Sequence, residues 1–146
     1  MITPFDDNYF MKQALNEAKR AFDKDEVPIG AVVVAKGQII ARAHNLTETL
    51  NDVTAHAEMQ AITAAANYLG GKYLKECTLY VTLEPCTMCA GALYWSQITK
   101  VVFGAPDPGR GYQDKGVGLH PKTAVSGGIM EKECRDLLKL FFEQKR

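Results

Sequence analysis

The sequence predicts an α/β fold, a three-layer helix/sheet/helix sandwich on a mixed five-stranded sheet. Three observations lead there. Two strand-like runs, residues 29–35 and 38–43, flank a Lys36-Gly37 turn and read as an antiparallel hairpin. Three further strand-like runs, at 78–83, at 100–103 and near 123–125, are interleaved with helical segments, which favours parallel pairing in the later part of the sheet. Helical patterns stand before the hairpin, after it, between later strands and at the end of the chain, enough to cover both faces of one sheet.

The first helix is expected to begin near Asp7, because Phe10, Met11, Ala14, Leu15, Ala18, Ala21 and Phe22 recur at helical spacing and build one apolar face. Pro28 ends that region, and the hairpin follows. The segment from Ala57 to Leu69 is alanine-rich and helical, stopped by Gly70-Gly71. Thr78-Leu79-Tyr80-Val81-Thr82-Leu83 holds the β-branched and aromatic types that suit a strand. Residues 86–96 read as a helix whose first turn accepts Pro85, since a missing N–H is no loss there. Lys100-Val101-Val102-Phe103 is the next strand. From Ala105 to Lys122 the composition turns to Gly, Pro and polar residues, as in a long loop or a short irregular helix. A short strand near Thr123-Ala124-Val125 precedes a last helix with Met130, Cys134, Leu137, Leu138 and Phe141 on one face.

A chain of 146 residues fits a single domain, taken as residues 1–146, and 47% hydrophobic content supplies a core for it. Lys+Arg and Asp+Glu both number 17, so the chain lacks the overall basic surplus common among nucleic-acid binders, although a local basic patch remains compatible with that balance. No apolar run reaches membrane-spanning length, and Met1-Ile2-Thr3-Pro4-Phe5-Asp6-Asp7 shows no signal-peptide pattern, so no membrane partner and a cytoplasmic location are expected. In a reducing compartment, cysteines at Cys-x-x-Cys spacing point to metal binding or redox chemistry rather than to disulfides.

The chemistry concentrates in His56-Ala57-Glu58 and Pro85-Cys86-Thr87-Met88-Cys89. Cys86 and Cys89 share one face of a helical turn near its N-terminus, where the partial positive charge favours the metal-binding thiolate. A redox pair would use the same spacing, but the Thr-Met filling and the upstream His-x-Glu favour zinc. His56 adds a third ligand. Glu58, two residues on, reaches the same point only if His56 sits at an irregular first turn, for which Thr54 is a candidate cap. Three ligands leave one coordination position for water, as in catalytic rather than structural zinc sites, with Glu58 as the adjacent acid/base. Cys77 and Cys134 fall on a strand edge and an apolar helix face and are expected in the core. His44 and His120 lack a partner at ligand spacing and are expected in surface loops. Asn45, just after the second strand, suits either a ligand-reading amide or a turn.

These residues meet the H-x-E…P-C-x-x-C signature of the zinc nucleobase deaminases. In longer runs the chain resembles the bacterial tRNA-specific adenosine deaminases of the zinc cytidine/deoxycytidylate deaminase superfamily: Val27-Pro28-Ile29-Gly30-Ala31-Val32, Thr54-Ala55-His56-Ala57-Glu58, Leu79-Tyr80-Val81-Thr82-Leu83-Glu84-Pro85-Cys86 and Val101-Val102-Phe103-Gly104-Ala105. The likeness runs from the first helix to Phe141-Phe142. It implies a cytidine-deaminase-like fold and one Zn2+ per chain on His56, Cys86 and Cys89. It implies that Glu58 carries the proton, that Asn45 contacts the base, and that the backbone N–H groups of Ala57 and Cys86 lie near the substrate. It places Asp107 beside the nucleic acid. The implied reaction is hydrolytic conversion of adenosine to inosine at the wobble position of a tRNA anticodon loop, by a homodimer.

Pro106-Asp107-Pro108-Gly109-Arg110-Gly111-Tyr112-Gln113 departs from the Gly-Ser-containing loop usual in that family. Leu93-Tyr94-Trp95 is similar to the free-base guanine deaminases of the same superfamily, so a free base or nucleoside, guanine or cytosine, stands as the alternative substrate. A long lid from Pro106 to His120 would suit that small substrate, and an open edge a nucleic acid. Arg135, Lys139, Lys145 and Arg146 are candidate phosphate contacts outside the pocket.

Overall fold

The computed structural model describes residues 5–145. Arg146 and the first four residues of the N-terminal stretch used above lie outside the described residues. The elements are α1 (Asp7–Asp23), β1 (Gly30–Ala35), β2 (Gln38–His44), α2 (Ala57–Leu69), β3 (Cys77–Leu83), α3 (Thr87–Ser96), β4 (Lys100–Ala105), β5 (Ala124–Gly127) and α4 (Glu131–Gln144). They follow the predicted order, and the segment between β4 and β5 contains no helix.

The five strands form one sheet in the order β2-β1-β3-β4-β5. β1 runs antiparallel to β2 and β3, while β3, β4 and β5 are mutually parallel. The hairpin turns at Lys36 (φ 51°) and Gly37 (φ 75°), the pair of positive φ values that a tight two-residue β-turn requires. Strand alternation sorts the core into two layers. Ala31, Val33, Leu79, Val81, Val101 and Phe103 face α2 and α3, which contribute Ala57, Ala61, Ala65 and Leu93. Val32, Val34, Tyr80 and Val102 face α1 and α4, which contribute Met11, Ala14, Ala18 and Cys134. Cys77 and Cys134 are both core residues, as expected.

Asp6 caps α1 by accepting the Tyr9 N–H (2.9 Å). The helix lies so close to β1 that a Cβ on Gly30 would fall 2.1 Å from the Ala14 carbonyl oxygen, so only glycine fits where β1 enters the sheet. Strand direction then collects the start of β1 and the ends of β2, β3 and β4 at one rim: Gly30 pairs with His44, Ala31 with Val81, and Leu83 with Ala105. The loops leaving β2, β3 and β4 all open there, the usual place for a site in a sheet with parallel strands.

Candidate active site

Two helices begin at this rim, and each begins on a chemistry-bearing residue. His56 is the N-cap of α2, with extended backbone (φ −71°, ψ 154°). That break from helical geometry lets His56 and Glu58 converge although they stand two apart. Cys86 is the extended N-cap of α3 (φ −74°, ψ 176°), and Cys89 follows in its first turn. Thr54 does not cap α2; its N–H and hydroxyl both donate to Asp52 Oδ1 at 2.8 Å, closing a local turn. The capping bond comes from outside the helix, where Asn45 Oδ1 accepts the Ala57 N–H at 2.9 Å. The Ala57 N–H, expected near the substrate, is bonded to Asn45, itself a residue of the cavity wall.

The His56, Cys86 and Cys89 donor atoms lie within 4.8 Å of one another and are the one such group among the described residues. His56 Nδ1 stands 3.6 Å from Cys86 Sγ and 3.5 Å from Cys89 Sγ. Tetrahedral zinc at ordinary bond lengths separates a sulfur from a nitrogen ligand by about 3.5 Å, so the donor set fits zinc. The site is also electrostatically prepared. A hydrogen bond from the Cys89 thiol holds Cys86 down to about 3 against its burial, with help from His56. Cys89, as the donor of that bond and a buried group, is pushed up, and the bond to Cys86 raises His56. These groups release protons when a cation takes their place. Glu58 is 4% exposed, and burial pushes it up to about 7, opposed chiefly by a hydrogen bond to its own backbone N–H.

Neither remaining histidine approaches the cluster. His120 lies beside the Tyr94 ring (5.5 Å between centroids) and accepts from the Lys122 N–H, in the loop expected for it. His44 is different: it is buried at the end of β2, not in a surface loop. Its Nε2 stands 3.1 Å from Lys24 Nζ and its Nδ1 3.0 Å from the buried Glu17 carboxylate. An ammonium only donates, so Nε2 accepts and Nδ1–H donates to Glu17.

A cavity of about 690 Å³ opens over the cluster. Asn45, His56, Glu58, Cys86 and Asp107 line it together. Asn45 spends its oxygen on Ala57, which leaves the amide N–H groups for the cavity. Burial raises the Asp107 carboxyl, with Arg110 opposing. Pro106, Pro108 and Arg110 continue the wall, and α4 completes it with Arg135, Leu138 and Phe142. Arg135 therefore belongs to the cavity rather than to a surface outside it, although its guanidinium also pairs with Glu131 (2.8 Å). The sequence reading missed Glu84 and Glu26, both buried carboxylates. Glu26 holds the loop before α2 by accepting from the Glu48 N–H (3.1 Å) and from the Thr49 N–H and hydroxyl (both 2.6 Å). Burial raises this carboxyl, but the three bonds together outweigh it and leave it lowered.

The family model for the cytidine and deoxycytidylate deaminase zinc-binding region matches residues 4–105, and the chain belongs to that family of zinc-binding deaminases. Within it, the chain is 49% identical over 146 residues to the tRNA-specific adenosine deaminase of Bacillus subtilis (strain 168), covering 96% of this chain and 91% of the relative. A solved structure from work on A-to-I editing by tRNA:A34 deaminases at the wobble position of transfer RNA shares 44% identity and superposes with a TM-score of 0.81, over 88% of this chain and 98% of the other. A guanine deaminase from Bacillus subtilis shares 38% identity at a TM-score of 0.67, over 77% and 69% of the two chains.

Proposed function

We propose that this chain, as a single deaminase domain, hydrolyses adenosine to inosine at the wobble position of a tRNA anticodon loop and releases ammonia. One observation carries the choice over a small free substrate: the loop after β4 lines the cavity only as far as Arg110, and the next wall residue is Arg135 on α4. Residues 111–123 are absent from the cavity wall, which favours a nucleotide still attached to its strand over a small substrate enclosed by a lid. The similarity to deaminases named for tRNA supports the same choice.

Zinc, held by His56, Cys86 and Cys89, supplies the Lewis acidity that makes a water molecule nucleophilic near neutral pH. The Glu58 carboxylate takes a proton from the attacking water as the new C6–O bond forms. A proton passes to the exocyclic nitrogen, which leaves as ammonia as the C6–N bond breaks; the other water proton ends on N1, giving inosine. Asn45, its oxygen fixed by Ala57, donates from its amide nitrogen to a ring-nitrogen acceptor of the base. Asp107 and Arg110 meet the flipped nucleotide at the cavity wall. A single-stranded loop keeps the cost of flipping small.

Ammonia release from a panel of free bases, nucleosides and anticodon stem-loops tests this reading; fast turnover of guanine or cytosine with none of the stem-loop would overturn the substrate and leave the zinc chemistry standing. Arg135, Lys139, Lys145 and Arg146 are expected to bind phosphates. Replacing all four with Gln should weaken stem-loop binding and flatten the slope of log K against log salt by about 0.7 for each single-strand phosphate left without its cation. The control for free-nucleoside turnover uses Lys139 and Lys145 alone, since neither lines this cavity.

We further propose a cytoplasmic homodimer. No helix of the described residues is long and apolar enough to cross a membrane. Trp95 is 76% exposed on α3 beside Tyr94, an apolar surface that a second copy would cover. A solution mass of two chains is expected, and a stable single-chain mass would rule the dimer out.

A further inference from the structure

Glu84 takes no part in the chemistry assigned above, yet it is a carboxylate 5% exposed at the end of β3, two residues before Cys86. No lysine or arginine pairs with it among the described residues. Its partners are backbone N–H groups of the loop that follows β4. Oε1 accepts from Asp107 at 3.0 Å and Oε2 from Gln113 at 3.1 Å. The cavity-lining residues Asp107, Pro108 and Arg110 all fall within the span these two bonds close. Between the anchors the loop turns on the Asp107 carbonyl, which accepts from Arg110 (3.2 Å) and Gly111 (2.7 Å).

Steric fit makes the same connection independently. A Cβ on Gly111 would lie 2.3 Å from Glu84 Oε2 and 2.5 Å from Oε1, so the loop backbone rests directly on the carboxylate. The main chain then ties the loop to the turn that carries the metal ligand: Gly111 bridges Cys86, and the Tyr112 N–H donates to the Pro85 carbonyl at 3.0 Å. The Glu84 side chain and these main-chain bonds together join the zinc-side wall of the cavity to the wall formed by the loop.

We propose that Glu84 is the positioning residue that sets the 107–113 loop, and with it Asp107 and Arg110, at the substrate-binding distance from the zinc ligands. The proposal rests on the reading of this cavity as the nucleobase site. It requires two acceptor oxygens at once. Glutamine offers one, and its NH2 would face a backbone N–H. Alanine offers none and leaves space beside Gly111.

The test uses the zinc-loaded chain and the variants Glu84→Gln, Gly111→Ala, and Glu84→Ala with and without Gly111→Ala. Glu84→Gln and Gly111→Ala should each raise KM for the anticodon stem-loop about 10- to 100-fold, the range expected for losing charge-assisted bonds. Turnover at saturation should stay within about threefold of wild type, and zinc at one per chain. Amide exchange at Asp107 and Gln113 should quicken while α2 keeps its protection. In the Glu84→Ala background the methyl group introduced by Gly111→Ala enters the vacated space, so the double variant should match Glu84→Ala rather than add to it. A fall in kcat at unchanged KM, loss of zinc, unaltered exchange at the two amides, or full additivity would each overturn the proposal. If wild type turns over a free base and no stem-loop, the substrate reading fails separately. The KM comparison is then made with that base, and the exchange, zinc and additivity results stand without it.

Discussion

Glu58→Gln is expected to lower turnover by about two to four orders of magnitude, the usual worth of a positioned acid/base, while zinc stays at one per chain. The substitution keeps the shape and volume of a side chain that is almost wholly buried and removes only its capacity to accept and return a proton. Burial raises the carboxyl above the ordinary glutamate range, with Cys86 adding to the shift. It has no part in the donor cluster, which is made of His56, Cys86 and Cys89. Metal content and turnover should therefore separate. Single-turnover measurements with the stem-loop read the chemical step, and metal analysis of the same sample reads the site. Turnover close to wild type would reduce Glu58 to an acid at a helix start, stabilised by the helix dipole.

What the sequence made legible is local. Ligand spacing in Cys86 to Cys89, the His56-to-Glu58 offset, and the strand-like run 29–35 each depend on a few neighbouring residues. What stayed hidden are side-chain bonds to backbone across distant loops. Glu84 reaches Asp107 and Gln113, Glu26 reaches Thr49, and Asn45 reaches Ala57, and no periodicity encodes such a bond. Thr54 looks like a cap by residue type, but the extended His56 places the helix start where the Asn45 side chain already stands. The buried state of His44 did have a signal. Glu17 falls on the face shared by Ala14, Ala18 and Ala21, and an acid on an apolar face needs a polar partner. The end of β5 was missed because Ser126 and Gly127 favour strands poorly, yet a Cβ on Gly127 would meet the Phe103 ring at 2.5 Å.

Removing the metal is expected to abolish turnover without unfolding the chain. Small zinc modules unfold when chelated because the ion replaces a core. Here the sheet is packed on both faces by apolar side chains that do not depend on the cluster, which sits at the rim where α2 and α3 begin. Chelation should therefore leave helix and strand signals in place and lower thermal stability only by the binding contribution, about 2.7 kcal/mol at a zinc level one hundred times its Kd. For a domain of this size that amounts to a fall of roughly 5–11 °C. Zinc, added back, should restore both activity and melting temperature. His56→Ala, Cys86→Ser and Cys89→Ser should each lose zinc and activity together, since three protein donors are the minimum that holds a catalytic zinc with a position left open. Cys77→Ser and His120→Ala should keep zinc at one per chain, because neither side chain belongs to the donor cluster. Anomalous scattering from a zinc-loaded crystal should place the ion between His56 Nδ1 and the two sulfurs. A fourth protein ligand at that position, or turnover that survives complete zinc removal, would exclude an open hydrolytic site.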